Sequence, residues 1–245
     1  MPLSNEQFGI TDLARWLAMD ARDVTKLVSR GRLPARRVGG EWRFHRAEIT
    51  RWIESELHIS SSAELLRFEQ TPLVNQNTHQ NGRVLLTDSI LLPECVVNPL
   101  QGKTKSSVLR ELVHTAANSY RIWDTDSVLK ALQEREDLSS TAFTSGVAFP
   151  HPGKRMAGAI SESVVAMGIS RQGIPFGAPE GRLTHLFFLV LATDDAGHLS
   201  ILARLSRLTR SVETLISRVC ECETSIAAME ILREAENGFL SDSTA

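Results

Sequence analysis

The chain has 245 residues, 42% hydrophobic and 23% charged, with a formal net charge of −2. That composition suits a soluble globular protein of one large domain or two ordinary ones, and it excludes a global electrostatic preference for polyanions. No apolar run reaches the ~18 residues of a membrane span, and Met1 to Gln7 lack the basic and apolar character of a signal peptide, so a cytoplasmic location is expected. Cys95, Cys220 and Cys222 form no CxxC pair. They fit a reduced compartment rather than a disulfide framework or a structural metal site, and no cofactor is expected.

The near-neutral total hides an asymmetry. From Arg22 to Arg51 there are nine Lys/Arg against three acids, with the compensating acids further along the chain. Such a split predicts two domains with different partners. Thr11 is placed to cap a first helix, Asp12 to about Ala18, with Leu13, Trp16 and Leu17 on one face. Asp20 is placed to cap a second, ending near Ser29, with Val24, Leu27 and Val28 inward and Gly31 as its stop. Gly39-Gly40 reads as a two-residue hairpin turn inside Leu33 to Phe44. A last helix, Arg46 to Leu57, buries Ile49, Trp52 and Ile53.

Helix, turn, helix, then Arg30-Gly31-Arg32-Leu33-Pro34-Ala35-Arg36-Arg37-Val38-Gly39-Gly40-Glu41-Trp42-Arg43-Phe44 and Glu48-Ile49-Thr50-Arg51-Trp52-Ile53 together resemble the excisionase/MerR-type winged helix-turn-helix domain. The resemblance implies a small winged helix-turn-helix domain over residues 1–57. Ala21 to Arg30 would be the recognition helix in a major groove of double-stranded DNA, with the Gly39-Gly40 wing along phosphates or the minor groove. The candidate DNA-binding residues are Arg22, Thr25, Lys26, Arg30, Arg36, Arg37 and Arg43, since clustered cations attract the backbone while few of them can read base edges. Arg37 and Arg43 could instead pair with Asp23 or Glu41. DNA readers of this type often act as dimers, and a homodimer is left open.

Residues 58–84 are polar and poor in core residues, the composition of a flexible linker, with Ala63 to Phe68 able to form a helical turn within it. After it, Val84 to Leu86 and Val96-Val97 read as short strands. Lys105 to Ser119 is an amphipathic helix, and Asp124 or Asp126 caps another through about Glu136. Gly146 to Phe149, Ser163 to Ile169 and Leu186 to Ala192 read as strands, the last buried on both faces, with Glu180 to His185 a polar turn before it. Helices are expected from His198 to about Leu208, Ser211 to about Cys220 and Thr224 to about Glu234. An α/β (α+β) mixed sheet flanked by helices follows for residues 85–237, with a tail at 238–245.

In Ser145-Gly146-Val147-Ala148-Phe149-Pro150-His151-Pro152-Gly153-Lys154 a histidine sits on a stiff turn at a strand end, between two prolines that fix their own φ. Arg135 to Thr141, this stretch, Gly173 to Ala178, then His198-Leu199 and Leu202-Ala203 occur in the order of the type-2 IIA domain of the sugar phosphotransferase system, the mannitol/fructose and nitrogen-regulatory class. The resemblance implies that His151 accepts a phosphoryl group from an HPr-type phosphocarrier protein, with His198 and Arg135 beside it. The residue types suit that chemistry. A neutral imidazole is a competent nucleophile, and the transferred group needs positioning and positive or N–H stabilisation.

Three readings follow. A transcription-type regulator couples DNA binding to the phosphorylation state of His151. A phosphocarrier passes phosphate on within a sugar phosphotransferase system. A IIA-like sensor binds protein without taking phosphate.

Overall fold

The computed structural model describes residues 7–17, 19–59, 65, 85–210 and 213–242. The N-terminal unit runs β1 (Gln7–Phe8), α1 (Ile10–Leu17), α2 (Ala21–Ser29), β2 (Arg36–Val38), β3 (Glu41–His45) and α3 (Arg46–Ile59). Its antiparallel strands lie in the order β1-β3-β2 around a core of Leu13, Leu17, Val24, Val28, Phe44, Ile49 and Ile53. Trp52, expected in that core, is half-buried. Asp20 caps α2 as expected, its carboxylate accepting from the Arg22 amide at 2.7 Å. Gly31 (φ 66°) stops α2, and Gly39 and Gly40 (φ 61° and 85°) make the wing turn that needs left-handed backbone.

One expectation changes here, and one strand is new. Helix α1 begins at Ile10 rather than after Thr11, the Leu13 amide donating to the Gly9 carbonyl at 3.0 Å, so Thr11 lies inside the helix. β1 has only two residues, too few to show an alternating pattern, and pairing with Phe44 and His45 of β3 defines it.

The C-terminal unit comprises α4 (Leu86–Ser89), β4 (Val96–Val97), α5 (Lys105–Ala117), α6 (Thr125–Leu138), β5 (Val147–Ala148), β6 (Val164–Ile174), β7 (Thr184–Leu191), α7 (Asp195–Arg210), α8 (Glu213–Glu221) and α9 (Ser225–Asp242). The sheet order is β4-β6-β7-β5, with β6 and β7 antiparallel and the two outer strands parallel to their neighbours. Alternation divides β7 between two apolar clusters. Leu186, Phe188 and Val190 pack with residues of α7, α8 and α9, while Phe187, Leu189 and Leu191 pack with Leu109, Leu112, Val128 and Leu132 of α5 and α6. The mixed sheet flanked by helices expected from the sequence is therefore present. Asp124 is the cap of α6, its carboxylate accepting from the Ser127 amide at 2.9 Å.

Leu85 and Leu86, expected in a strand, instead open the helical turn α4. The Glu236 carboxylate accepts from the Leu86 amide at 2.7 Å and the Thr87 amide at 3.2 Å, so an acid 150 residues away satisfies the N-terminus of that turn. His185, expected in a turn, lies within β7. Helix α3 continues to Ile59, inside the expected linker, while residues 60–64 and 66–84, with most of the expected turn at 63–68, lie outside the described residues. Helix α9 extends to Asp242, beyond the expected domain end.

The two units touch. Helix α3 packs along α7, and one apolar cluster runs from Ile53 and Leu57 of α3 to Leu199 and Leu202 of α7. Arg46 of α3 meets Asp195 at 2.8 Å, and Arg155 shares that carboxylate at 3.2 Å. Among the described residues no helix is long and apolar enough to cross a membrane.

Candidate functional site

His151 follows the end of β5, where the Val190 amide of β7 donates to the Pro150 carbonyl at 2.8 Å and ties the turn to the sheet. Its Nδ1 lies 2.8 Å from the carbonyl of Phe149. A carbonyl only accepts, so this contact assigns the proton to Nδ1 and leaves Nε2 for chemistry. The side chain is buried, 4% exposed.

His198 lies in the first turn of α7, its ring centroid 4.9 Å from that of His151. Asp194 caps that turn, accepting from the Gly197 amide at 2.8 Å, and the His198 amide donates to the Asp194 carbonyl. The backbone N–H of His198 is therefore used within the helix start. Arg135, near the end of α6, donates from Nη1 to the Ser139 carbonyl at 2.9 Å and packs beside Gly153, where a Cβ would lie 3.5 Å from the Arg135 Cδ. Just beyond it, Glu136 is buried and accepts from the Thr141 amide at 3.0 Å and its hydroxyl at 2.7 Å, which anchors the end of α6. The structure thus brings Arg135, His151 and His198 together from three separate segments.

What they surround comes from the other domain. Glu54 of α3, 7% exposed, places Oε1 2.9 Å from His198 Nε2 and Oε2 3.2 Å from His151 Nε2 and 3.5 Å from Arg135 Nη2. Glu54 Oε2 and His151 Nε2 face each other without an aligned hydrogen-bond partner among the described residues. Burial pushes the Glu54 carboxyl up, but the close approach of the two imidazoles, His198 by a hydrogen bond, outweighs it and holds the group far below the ordinary carboxylate range. Burial pushes His198 down, and its bond to Glu54 offsets part of that. Sequence reasoning missed Glu54. The available signal was an acid next to Ile53 on the stripe Ile49, Ile53, Leu57 of an otherwise basic module.

Glu54, His151 and His198 are of metal-ligand type, with ligand atoms within 4.8 Å of one another. Arg135 faces the same carboxylate, and a fixed guanidinium there suits an anion better than a dication.

The expected DNA-binding residues lie on α2 and the wing, where Arg22, Thr25, Lys26, Arg30, Arg36 and Arg37 are exposed and Arg43 is half-buried. Several are engaged within the protein. The Thr25 hydroxyl donates to the Ala21 carbonyl at 2.8 Å, Lys26 pairs with Asp23 at 2.9 Å, and Arg36 pairs with Glu48 at 2.7 Å. Arg43 pairs with Glu41 at 2.7 Å, as the sequence allowed, while Arg37 lies over the Trp42 ring at 5.0 Å. Exposed pairs of this kind contribute little, and phosphates can compete for them.

A family model described as "Phosphoenolpyruvate-dependent sugar phosphotransferase system, EIIA 2" matches residues 89–235, and a helix-turn-helix domain model matches residues 8–56. Among curated proteins, the fructose-specific EIIA component of Haloferax volcanii is 32% identical over 54% of this chain and 84% of its own length. A nitrogen regulatory protein of Bradyrhizobium diazoefficiens is 33% identical over 51% and 80%. The fructose-specific EIIABC component of Bacillus subtilis is 28% identical over 55% of this chain, and the match covers only 21% of that larger protein. Among solved structures, nitrogen regulatory protein IIA-Ntr of Neisseria meningitidis superposes with a TM-score of 0.51 at 25% identity, covering 58% of this chain and 96% of that one.

Proposed function

The chain belongs to the phosphoenolpyruvate-dependent sugar phosphotransferase system EIIA 2 family through residues 89–235 and carries a DNA-binding helix-turn-helix domain before it, and on that premise we propose that it is a DNA-binding regulator whose His151 accepts a phosphoryl group from an HPr-type phosphocarrier. The observation that carries this reading is His151 itself, with Nδ1 held on the Phe149 carbonyl and Nε2 aimed at a point that His198 and Arg135 also face. In the transfer, the Nε2 lone pair attacks phosphorus, the donor's N–P bond breaks, and its electron pair leaves on the donor imidazole. The other proton stays on Nδ1, donated to the Phe149 carbonyl throughout. Arg135 stabilises charge on the equatorial oxygens, and His198 adds an N–H donor. The helix-turn-helix domain in the same chain favours regulation over sugar transport.

The test is incubation with phosphoenolpyruvate, enzyme I and an HPr-type protein, followed by ³¹P NMR for an acid-labile phosphohistidine substituted on Nε2. No uptake from any such donor sinks the proposal. Arg135→Ala is expected to slow uptake by roughly 10²–10³-fold, the scale for removing one positioned donor to a transition-state oxyanion, with partial recovery in Arg135→Lys. Initial rates under identical donor concentrations measure it.

For the DNA arm, Arg22 on α2 and Arg30, which caps that helix, are exposed and form no ion pair among the described residues. Arg22→Ala with Arg30→Ala is expected to weaken duplex binding and flatten its dependence on log salt by about 2, if each contacts one phosphate. A slope equal to wild type would remove both residues from the interface.

A further inference from the structure

Glu54 belongs to the DNA-binding domain, yet its carboxylate ends at the atom on which the other domain would do its chemistry. We infer that Glu54 is an internal ligand of the phosphoryl site, so that docking of the helix-turn-helix domain and phosphorylation of His151 exclude one another. The inference rests on the reading of His151 as phosphoryl acceptor and adds the regulation of that site.

Space comes first. A phosphoryl group on His151 Nε2 needs the space next to that nitrogen, where Glu54 Oε2 sits at 3.2 Å. Its oxygens and the carboxylate compete for one volume. The same donors serve both, because Arg135 and His198, which would steady phosphoryl oxygens, are turned to the two oxygens of Glu54. A carboxylate ringed by a guanidinium and two imidazoles is the arrangement of an occupied anion site.

Charge acts in the same direction. The Glu54 carboxyl is held ionised, whereas a phosphoryl group brings about −1.5 to −2 to the same donors. Two anions cannot share that set of partners in a buried site without strong repulsion.

Access makes the relation reciprocal. His151 is 4% exposed with α3 in place, so the phosphohistidine of a donor protein cannot approach Nε2 while the domains are docked. Transfer then proceeds through an undocked form, in which any proton on Nε2 leaves to solvent and the lone pair faces the donor. The second tie between the domains, Arg46 on Asp195, lies beside the site and must open in the same movement, leaving Asp195 to Arg155 of its own domain. The exposed face of α2 is uncovered in the docked form, so docking holds the DNA reader in one orientation on its partner domain without masking it.

The test uses the full chain. Glu54→Gln keeps the shape and removes the charge, and its initial rate of phosphate uptake from phosphoenolpyruvate, enzyme I and HPr is expected to exceed wild type by fivefold or more. Hydrogen exchange at α3 amides, 46–57, is expected to rise on phosphorylation of the wild-type chain and, with no donor present, in His151→Glu, while β6 and β7 amides stay protected as the check on folding. Equal uptake rates together with α3 protection unchanged by phosphorylation overturn the inference and leave His151 as the acceptor. If neither wild type nor Glu54→Gln takes phosphate, the acceptor reading fails by itself. His151→Glu then decides whether an anion at this position expels Glu54, unchanged α3 protection overturning the inference and raised exchange supporting it.

Discussion

His151→Ala is expected to reduce phosphate uptake to the level of a sample without donor, while duplex DNA binding by the same variant persists. On the proposed reading the effect is total, because the side chain would supply the bond-forming atom. His198 is the nearest substitute, but it sits in a different relation to the turn. Its Nε2 is committed to Glu54 at 2.9 Å, and burial disfavours the charge it would develop. His198→Ala is accordingly expected to keep measurable uptake at a rate reduced by about 10–10²-fold, as for loss of a supporting donor rather than the nucleophile. Retained stoichiometric phosphate in His151→Ala would move the acceptor elsewhere. His198→Ala falling to the same background would make the two histidines a single unit. Phosphate quantified per chain, with an electrophoretic shift of duplex DNA on the same preparation, separates these outcomes.

Phe188→Ala is expected to lower stability by about 3–5 kcal/mol, the scale of a fully buried aromatic truncated where the surroundings relax only in part. For a unit of this size that corresponds to a fall of roughly 6–20 °C in Tm. Phe188 is fully buried on the face of β7 toward α7, its ring 6.0 Å from that of Phe149 and tilted by 54°. Phe149 in turn lies tilted against Phe143 at 5.6 Å, and its carbonyl holds His151 Nδ1. The cavity therefore opens under the turn that carries His151. Phe187→Ala, on the opposite face against Phe176 at 5.1 Å, is expected to cost a similar amount of stability with a smaller effect on uptake measured well below both melting temperatures. Equal loss of uptake in the two variants would show that packing beneath Phe149 does not position His151. Thermal unfolding and initial uptake rates decide it.

Much of this architecture is written locally. The spacing of Val108, Leu109, Leu112 and Val113 specifies α5, Gly39-Gly40 specifies the wing turn, and the continuous run at 186–191 specifies a strand buried on both faces. Arg135, His151 and His198 were legible as a group only through resemblance to a family, since each by itself is an ordinary surface or capping residue. The misreadings fall where a distant partner decides. Leu85 and Leu86 have the composition of a strand, and the Glu236 carboxylate turns the segment into the start of a helix.

The histidine between Pro150 and Pro152 was set by sequence, because proline geometry and the end of an apolar strand are properties of adjacent residues. That a glutamate from the DNA-binding domain stands against it was decided by tertiary structure alone. Glu54 reads as one more solvated acid on a helix, and it becomes a partner of His198, 144 residues away, only when α3 packs along α7. Local pattern encodes which face of a helix is apolar. It does not encode what that face will meet, and here the meeting joins the DNA reader to the histidine.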